Sequence, residues 1–246
     1  MYALRSDDRV VTYEILLALA NNAGPIGATT LNIQLGPKLG LGQATIGRKL
    51  LEMDSKGFTV KRGLQGREIS DHGRTHLNEI FREMTLEKEN QQFIQSLDAG
   101  TKERLLEVLA VRRIIESEAA RLAAQKCTPD MIGAMEEVLN RQAGKIAKEE
   151  PGTDEDLEFH DLVAHASSNS VLKDVLVIIR RASQLSPLVA TIRQKVGGRL
   201  LSEHLEILKM MKLRAPDSAA EAMAQHIGSL AKDVEMFWDQ THHKAV

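Results

Sequence analysis

The chain has a single cysteine, Cys127, among its 246 residues. One cysteine cannot form an internal disulfide, which excludes a disulfide-stabilised secreted protein, and we expect a reducing cytoplasmic location. Long apolar runs are also missing: the longest early one, residues 15–20, is too short to cross a membrane. Residues 5–9 before it are mixed in charge, so we expect neither a signal peptide nor a membrane partner.

Aromatic residues make up only 3% of the chain, although 43% of it is hydrophobic. That hydrophobic fraction suffices for a core, and the frequent Ala, Leu, Glu, Lys and Arg favour helices over sheets. The formal net charge of −2 excludes a polycation, so any nucleic-acid surface has to be local. The length exceeds that of an average domain, and we expect two domains in a mainly α protein.

The N-terminal part combines three helical patterns with a hairpin pattern. Apolar spacing predicts helices over 8–22, 28–35 and from residue 43 to a stop near Gly57. Residues 58–70, FTVKRGLQGREIS, contain two short β-prone runs around a glycine-containing turn. This order predicts a winged helix-turn-helix, which we assign to residues 1–73.

A local reversal of charge indicates that this part reads double-stranded DNA. Residues 38–74 contain eight Lys or Arg and four acids, a net charge of +4 in a chain whose total is −2. The candidate contacts are Gln43, Thr45, Arg48 and Lys49 on the outer side of the third helix and Lys61, Arg62 and Arg67 on the wing. A solvated basic face on a protein-binding module is the alternative.

The rest of the chain is helical in pattern. The pattern predicts a linking helix over residues 74–98. It predicts an all-helical bundle over residues 99–246. Within the bundle we expect helices at 101–126, 129–147, 154–167, 170–184, 198–213 and 216–239. Prolines 129, 151, 187 and 216 lie at or near the gaps, as helix-breaking residues should.

Three segments of the bundle carry residues that could bind a metal ion. Asp156 and His160 are four residues apart and project from one helix face. His204 lies on the side of Leu201, Leu205 and Leu208, and His226 on the side of Met223 and Ile227, so both point toward a core. Buried imidazoles need partners for both nitrogens: either a shared divalent metal such as Zn²⁺, Ni²⁺ or Mn²⁺, or separate backbone carbonyls. Spacing alone does not separate these two interpretations.

The bundle resembles the FCD ligand-binding domain of the FadR subfamily of GntR-type bacterial transcription regulators. The segments that carry the resemblance are LLEVLAVRRIIESEAARLAA, DLEFHDLVAHASSNSVL, EHLEIL and AMAQHI. The resemblance implies that Asp156, His160, His204 and His226 bind the metal ion. The N-terminal part departs from the usual PSERELA…SRTPVREALRRL pattern of GntR-type readers, and its likeness is only that of a general winged helix.

A metal held by three neutral histidines and one carboxylate keeps a net positive charge, which suits a small carboxylate or hydroxycarboxylate effector. Arg112 matches the family's first-helix arginine, which implies a carboxylate clamp, although pairing with Glu116 is the alternative. Asn169 matches a family position near the effector, or else it shapes the break between two helices. Arg180 and Arg181 are expected on a solvated face, with an approach to the pocket or to an interface as the alternative.

These features predict a homodimeric regulator whose effector changes its affinity for operator DNA. A sensor of the metal ion itself and a metal-dependent hydrolase are the two alternatives. We expect no enzyme activity, because no general base is placed beside the metal ligands.

Overall fold

The computed structural model describes residues 7–98, 100–184 and 187–242. These residues form a mainly α structure with one two-stranded sheet, which confirms the fold class. The elements are α1 (Asp8–Ala20), α2 (Ala28–Leu39), α3 (Gln43–Ser55), β1 (Thr59–Lys61), β2 (Arg67–Ile69), α4 (Asp71–Ser96), α5 (Lys102–Lys126), α6 (Pro129–Ile146), α7 (Thr153–Ala166), α8 (Ser170–Gln184), α9 (Pro187–Lys212) and α10 (Pro216–His242).

The chain divides into two compact units, residues 1–92 and 93–246. The first unit contains the three helices and the hairpin that the sequence predicts. Its core is apolar, with Ile15, Leu16, Leu31 and Ile46 fully buried. Helix α1 begins where the Asp7 side chain accepts a hydrogen bond from the Arg9 amide, which satisfies one of the free N–H groups at the helix start.

Helix α2 is longer than predicted because a proline does not end it. Pro37 lies in its last turn, and the helix continues to Leu39. Gly40 then adopts a left-handed conformation, with φ at 65°, and its amide bonds to the Gly36 carbonyl. This glycine cap ends the helix.

The hairpin is tied to the loop before α2. Strands β1 and β2 pair antiparallel, with Thr59 opposite Ile69, and Ile26 forms an isolated bridge to Arg67. Gly66 has φ at 124°, and a Cβ there would lie 2.3 Å from the Ile26 carbonyl carbon. Only glycine permits this approach, so the base of the wing is fixed against the loop.

The second unit is a bundle around α5, which packs against α7, α8, α9 and α10. Helix α9 differs from the prediction, since it begins at Pro187 and includes residues 187–197, which were assigned to a gap. Residues 185–186, also in that gap, lie outside the described ranges. Proline at the first position of a helix costs no hydrogen bond, so Pro187 starts this helix.

One residue of the predicted buried stripe on α9 is exposed. Leu205 is 50% exposed, whereas His204, Ile207, Leu208 and Met211 are buried. These four follow the i, i+3, i+4, i+7 spacing of a single helix face, and Leu205 lies beside that face. Among the residues that the structure describes, no helix combines the length and the apolarity needed to cross a bilayer.

Candidate metal centre and nucleic-acid surface

The structure brings the four predicted metal ligands together. Asp156 and His160 come from α7, His204 from α9 and His226 from α10, and all four are buried. His226 Nε2 lies 3.2 Å from His160 Nε2 and 3.3 Å from His204 Nε2. Asp156 Oδ1 lies 3.6 Å from His204 Nε2. One ligand atom from each residue lies within 4.8 Å of the others, so a single ion could contact all four.

The protonation of His204 follows from the amide that holds it. Gln142 Nε2 donates to the Gly152 carbonyl at 3.3 Å, and that carbonyl can only accept. The amide oxygen of Gln142 therefore faces His204 Nδ1, 3.1 Å away. Because an amide oxygen only accepts, His204 carries its proton on Nδ1 and leaves a lone pair on Nε2.

Carboxylates fix the other two histidines in the same way. Glu116 Oε2 lies 2.5 Å from His160 Nδ1, and Glu203 Oε2 lies 2.9 Å from His226 Nδ1. Glu203 accepts a hydrogen bond from His226 Nδ1, and the contact of Glu116 with His160 Nδ1 is an ion-pair contact that favours a proton on that nitrogen. With the protons on Nδ1, the three Nε2 atoms present lone pairs toward one another and toward Asp156. Such an arrangement is repulsive without a cation at its centre.

The donor set fits a divalent transition metal. Three imidazole nitrogens and one carboxylate are typical ligands of Zn²⁺ and its neighbours in the first transition row. Two nitrogens bound to one divalent ion at about 2.0–2.1 Å are about 2.9–3.4 Å apart, from the octahedral to the tetrahedral angle. The two short Nε2 separations lie in that range. The Nδ1 contacts to Gln142, Glu203 and Glu116 on the outer side of the imidazoles are the usual support of metal ligands.

The charges around the cluster favour ligands ready to bind metal. Burial is the largest influence on the Glu116 carboxyl and raises its pKa, but the neighbouring charged groups, with the Arg112 guanidinium first among them, hold that pKa well below its ordinary value. For His160, burial lowers the pKa of the imidazole more than Glu116 raises it. The imidazole therefore stays neutral, which is the form that binds a metal.

Arg112 lies next to the cluster and pairs with Glu116. Its side chain is 2% exposed, and its Nε donates to Glu116 Oε1 at 2.6 Å. Within the described part of the chain, its two terminal nitrogens make no hydrogen bond. The pairing predicted as an alternative is therefore present, and it leaves the outer edge of the guanidinium available to another group.

Arg180 is a correction to the sequence analysis. Its side chain is 2% exposed instead of solvated, and its Nη2 donates to the Leu157 carbonyl at 3.3 Å and to the Asp161 carboxylate. Its position four residues after the buried Leu176 on α8 is the signal that was available. Arg181, one residue on, is exposed as expected.

Asn169 does not join the cluster. It is exposed, and its Oδ1 accepts a hydrogen bond from the Leu172 amide at 3.1 Å, which caps the start of α8. This contact supports the helix-break alternative, and the effector contact of Asn169 stays a prediction. Sequence reasoning also missed the roles of Gln142 and Glu203, because their proximity to the histidines depends on helices distant in the chain.

Gly152 supports the centre from outside. A Cβ on this residue would lie 2.8 Å from Gln142 Cγ, so alanine would displace the amide that orients His204. We expect Gly152→Ala to weaken Zn²⁺ affinity about 10- to 100-fold, the effect of losing an outer hydrogen bond to a metal ligand. Competition with a chromogenic chelator measures this. Gly144→Ala is the control, because no atom lies near its added methyl group. Equal affinities for the two variants would contradict the role of Gln142.

The predicted contacts on α3 divide into two groups. Gln43 and Arg48 are exposed and Thr45 is half-buried, as a reading helix requires. Lys49 is a correction: it is only 7% exposed, and its Nζ lies 2.6 Å from Asp8 Oδ1 and 2.9 Å from Glu52 Oε2. Lys49 follows the buried Ile46 by three residues, so it lies at the edge of the core-facing side of the helix.

Most cations of the basic segment are neutralised by acids of the same unit. On the wing, Arg62 pairs with Glu68 at 2.7 Å and Arg67 with Asp54 at 2.8 Å. Lys38, Lys49 and Lys56 are paired as well. In the described part of the chain, the cations of residues 38–74 without an ion pair are Arg48, Lys61 and Arg74. The free charge is therefore smaller than the composition indicates.

Known proteins match each unit separately. Residues 107–229, half of the chain, match the FCD domain family. Residues 13–77 match the winged-helix domain of ribonuclease R, consistent with the departure from the usual GntR-type reader.

One relative is the Uxu operon transcriptional regulator of Escherichia coli (strain K12), 28% identical over 137 residues. The match covers 53% of this chain and 52% of the relative, so it spans about half the length of that protein.

Two solved structures are similar to the chain. The match to E. coli McbR/YncC has a TM-score of 0.50 at 13% identity, and it covers 97% of this chain and 100% of the McbR/YncC chain. Streptococcus agalactiae GntR has a TM-score of 0.46 at 20% identity and covers 90% of this chain and 98% of its own. With the FCD match over half of its length, the chain belongs to the FCD-domain family of GntR-type regulators.

Proposed function

We propose that the protein is a homodimeric cytoplasmic transcription regulator that binds operator DNA through residues 1–73 and a divalent metal with a small carboxylate effector in residues 99–246. The linking segment 74–98 would join the two functions. The proposal of a metal and effector site depends on one observation: three imidazole Nε2 atoms, from α7, α9 and α10, converge on one point.

The metal and Arg112 would together recognise the effector. An ion of charge +2 bound to Asp156 and three neutral histidines keeps a charge of about +1, and octahedral coordination leaves two positions open. When bound, the metal supplies a Lewis-acid site for a carboxylate or hydroxyl oxygen. The two terminal nitrogens of Arg112 suit the same carboxylate, because a guanidinium binds it bidentately.

The winged helix supports DNA reading. Gln43 and Arg48 present polar groups on the exposed side of α3, and Lys61 lies exposed on the wing. We retain these three, with Thr45, as the proposed contacts. Arg62 and Arg67 would have to exchange an intramolecular acid for a phosphate, so we assign them a smaller contribution.

A sensor of the metal ion itself is the second candidate, and the burial of the four ligands is consistent with it. The outcome of effector titration separates the two. If operator affinity follows free metal concentration and ignores every organic anion, the metal is the signal.

Neighbouring residues on α3 give a matched test of DNA reading. We expect Arg48→Met to weaken binding to a selected DNA site by about 1–3 kcal/mol, or roughly 5- to 150-fold, with unchanged stability. Lys49→Met should leave DNA affinity within about twofold but lower the melting temperature by about 4–8 °C, since it removes the ion pairs to Asp8 and Glu52. Gel-shift titration and thermal unfolding measure the two effects. The reverse pattern would exclude Arg48 as a contact.

The effector site is tested by thermal shift of the zinc-loaded protein in a panel of small mono- and hydroxycarboxylates. At an anion concentration of 100 times Kd, we expect stabilisation of about 2.7 kcal/mol. Arg112→Met should reduce this stabilisation by at least half. Inorganic sulfate serves as the control anion. If no carboxylate stabilises the loaded protein more than sulfate does, the effector proposal fails and the metal-sensor alternative remains.

A further inference from the structure

We propose that Arg112 and Glu116 form a positioning pair for His160 and set the metal affinity of the centre, in addition to any contact of Arg112 with an effector. This inference rests on the metal site proposed above. It assigns to the Nε side of Arg112 a function separate from that of its terminal nitrogens.

Each carboxylate oxygen of Glu116 contacts a different neighbour. Glu116 Oε1 accepts from Arg112 Nε at 2.6 Å, and Glu116 Oε2 lies 2.5 Å from His160 Nδ1. Both members of the pair are only 2% exposed in their side chains. With water excluded, Arg112 is the group that fixes the rotation of the carboxylate, and the carboxylate fixes the imidazole tautomer.

A second arrangement in the same bundle repeats these contacts on α9. Arg199 and Glu203 have the same i, i+4 spacing, with Arg199 Nε 3.4 Å from Glu203 Oε1, and Glu203 Oε2 lies 2.9 Å from His226 Nδ1. These side chains are 43% and 21% exposed. Arg199 also pairs with the buried Asp233, and water screens its contact with Glu203, so Arg199 is less committed to its glutamate than Arg112 is and serves as the matched control for Arg112.

If Arg112 acts by positioning Glu116, its loss lowers metal affinity, and if it acts only through its charge, its loss raises metal affinity. Removing a cation near a metal site raises metal affinity if the guanidinium acts only through its charge. Removing the anchor of Glu116 lowers affinity if the guanidinium acts by holding the carboxylate against His160. The short, buried contacts on both sides of Glu116 favour the second effect.

The test measures Zn²⁺ affinity of the full-length protein by chelator competition. We expect Glu116→Gln to weaken binding about 10- to 100-fold and Arg112→Met about fivefold or more. The double variant should be no weaker than Glu116→Gln alone. Arg112→Lys should bind Zn²⁺ about as weakly as Arg112→Met, because an ammonium restores the charge but not the planar Nε contact. Arg199→Lys should cost less than about threefold in Zn²⁺ affinity, because the contact of Arg199 with Glu203 is open to water and lysine can keep the ion pair with the buried Asp233.

A second measurement distinguishes a specific effect on His160 from misfolding of the variant. Long-range ¹H–¹⁵N spectra of the metal-free protein report the tautomer of each imidazole. In Glu116→Gln we expect only the His160 signals to shift toward a mixture of tautomers, while those of His204 and His226 stay as Nδ1–H. Changes in all three signals would indicate a general loss of structure and overturn the specific role.

The outcomes separate the inference from the function on which it rests. No Zn²⁺ binding by the unmodified protein would remove the proposed metal site itself. Normal zinc binding by the unmodified protein would leave the metal site in place. Unchanged or tighter affinity in Arg112→Met, full affinity in Arg112→Lys, or equal losses in Arg112→Lys and Arg199→Lys would then overturn the positioning pair.

Discussion

Replacing His226 by alanine is expected to lower Zn²⁺ affinity by about 100- to 1,000-fold. Structural zinc sites bind with about 10–16 kcal/mol through four ligands, so one ligand accounts for roughly 3–4 kcal/mol. His226 is the residue of choice, because its Nε2 is the atom that lies within 3.3 Å of both other imidazole nitrogens. Its loss would leave His160 and His204 without the ligand between them.

The control is His165→Ala, which removes an exposed imidazole five residues after His160 on the same helix. We expect this variant to bind Zn²⁺ like the unmodified protein in isothermal titration or chelator competition. If His226→Ala retained full affinity, or if both variants lost it equally, the four-residue centre would be wrong.

The salt dependence of DNA binding is expected to be much shallower than the basic composition indicates. Three unpaired cations per chain, Arg48, Lys61 and Arg74, would give about six in the proposed homodimer and a slope of log K against log salt near −5. Affinity should then fall about 10³-fold between 50 and 200 mM salt. If all eight Lys and Arg of residues 38–74 engaged phosphates, the same change would cost roughly 10⁹-fold.

Adjacent wing residues provide the internal comparison. Lys61→Met should reduce the magnitude of the slope by about 1 per chain, whereas Arg62→Met should change it little, because Glu68 already neutralises Arg62. Fluorescence anisotropy across a salt series measures both. A slope near −14 for the unmodified protein, or equal effects of the two substitutions, would show that the intramolecular ion pairs open on DNA.

The helical pattern and the resemblance made the fold and the four candidate ligands predictable. Asp156 and His160 needed only the four-residue spacing of a helix, which is local. His204 and His226 were placed on core-facing stripes, and the structure brings both to the cluster. What spacing could not decide was whether these stripes meet, because that depends on the packing of α7, α9 and α10.

The remaining differences have local physical causes. Lys49 shows that charge does not guarantee exposure: two acids near the start of α1 and on α3 hold its ammonium at the core edge. Arg180 on α8 is likewise charged but buried, because its guanidinium donates hydrogen bonds to the Leu157 carbonyl and to Asp161. Gln142 and Glu203 carry no signal of their own in the sequence, since an outer partner of a metal ligand is defined by its orientation.

The different surroundings of Arg48 and Lys49 have a consequence for how the proposed DNA preference can diverge among related chains. Position 48 can change its side chain without disturbing the ionic contacts of position 49, so new preferences can accumulate there at little cost to folding. Substitutions at position 49 are constrained by Asp8 and Glu52 instead. Two successive residues thus permit recognition and stability to evolve separately.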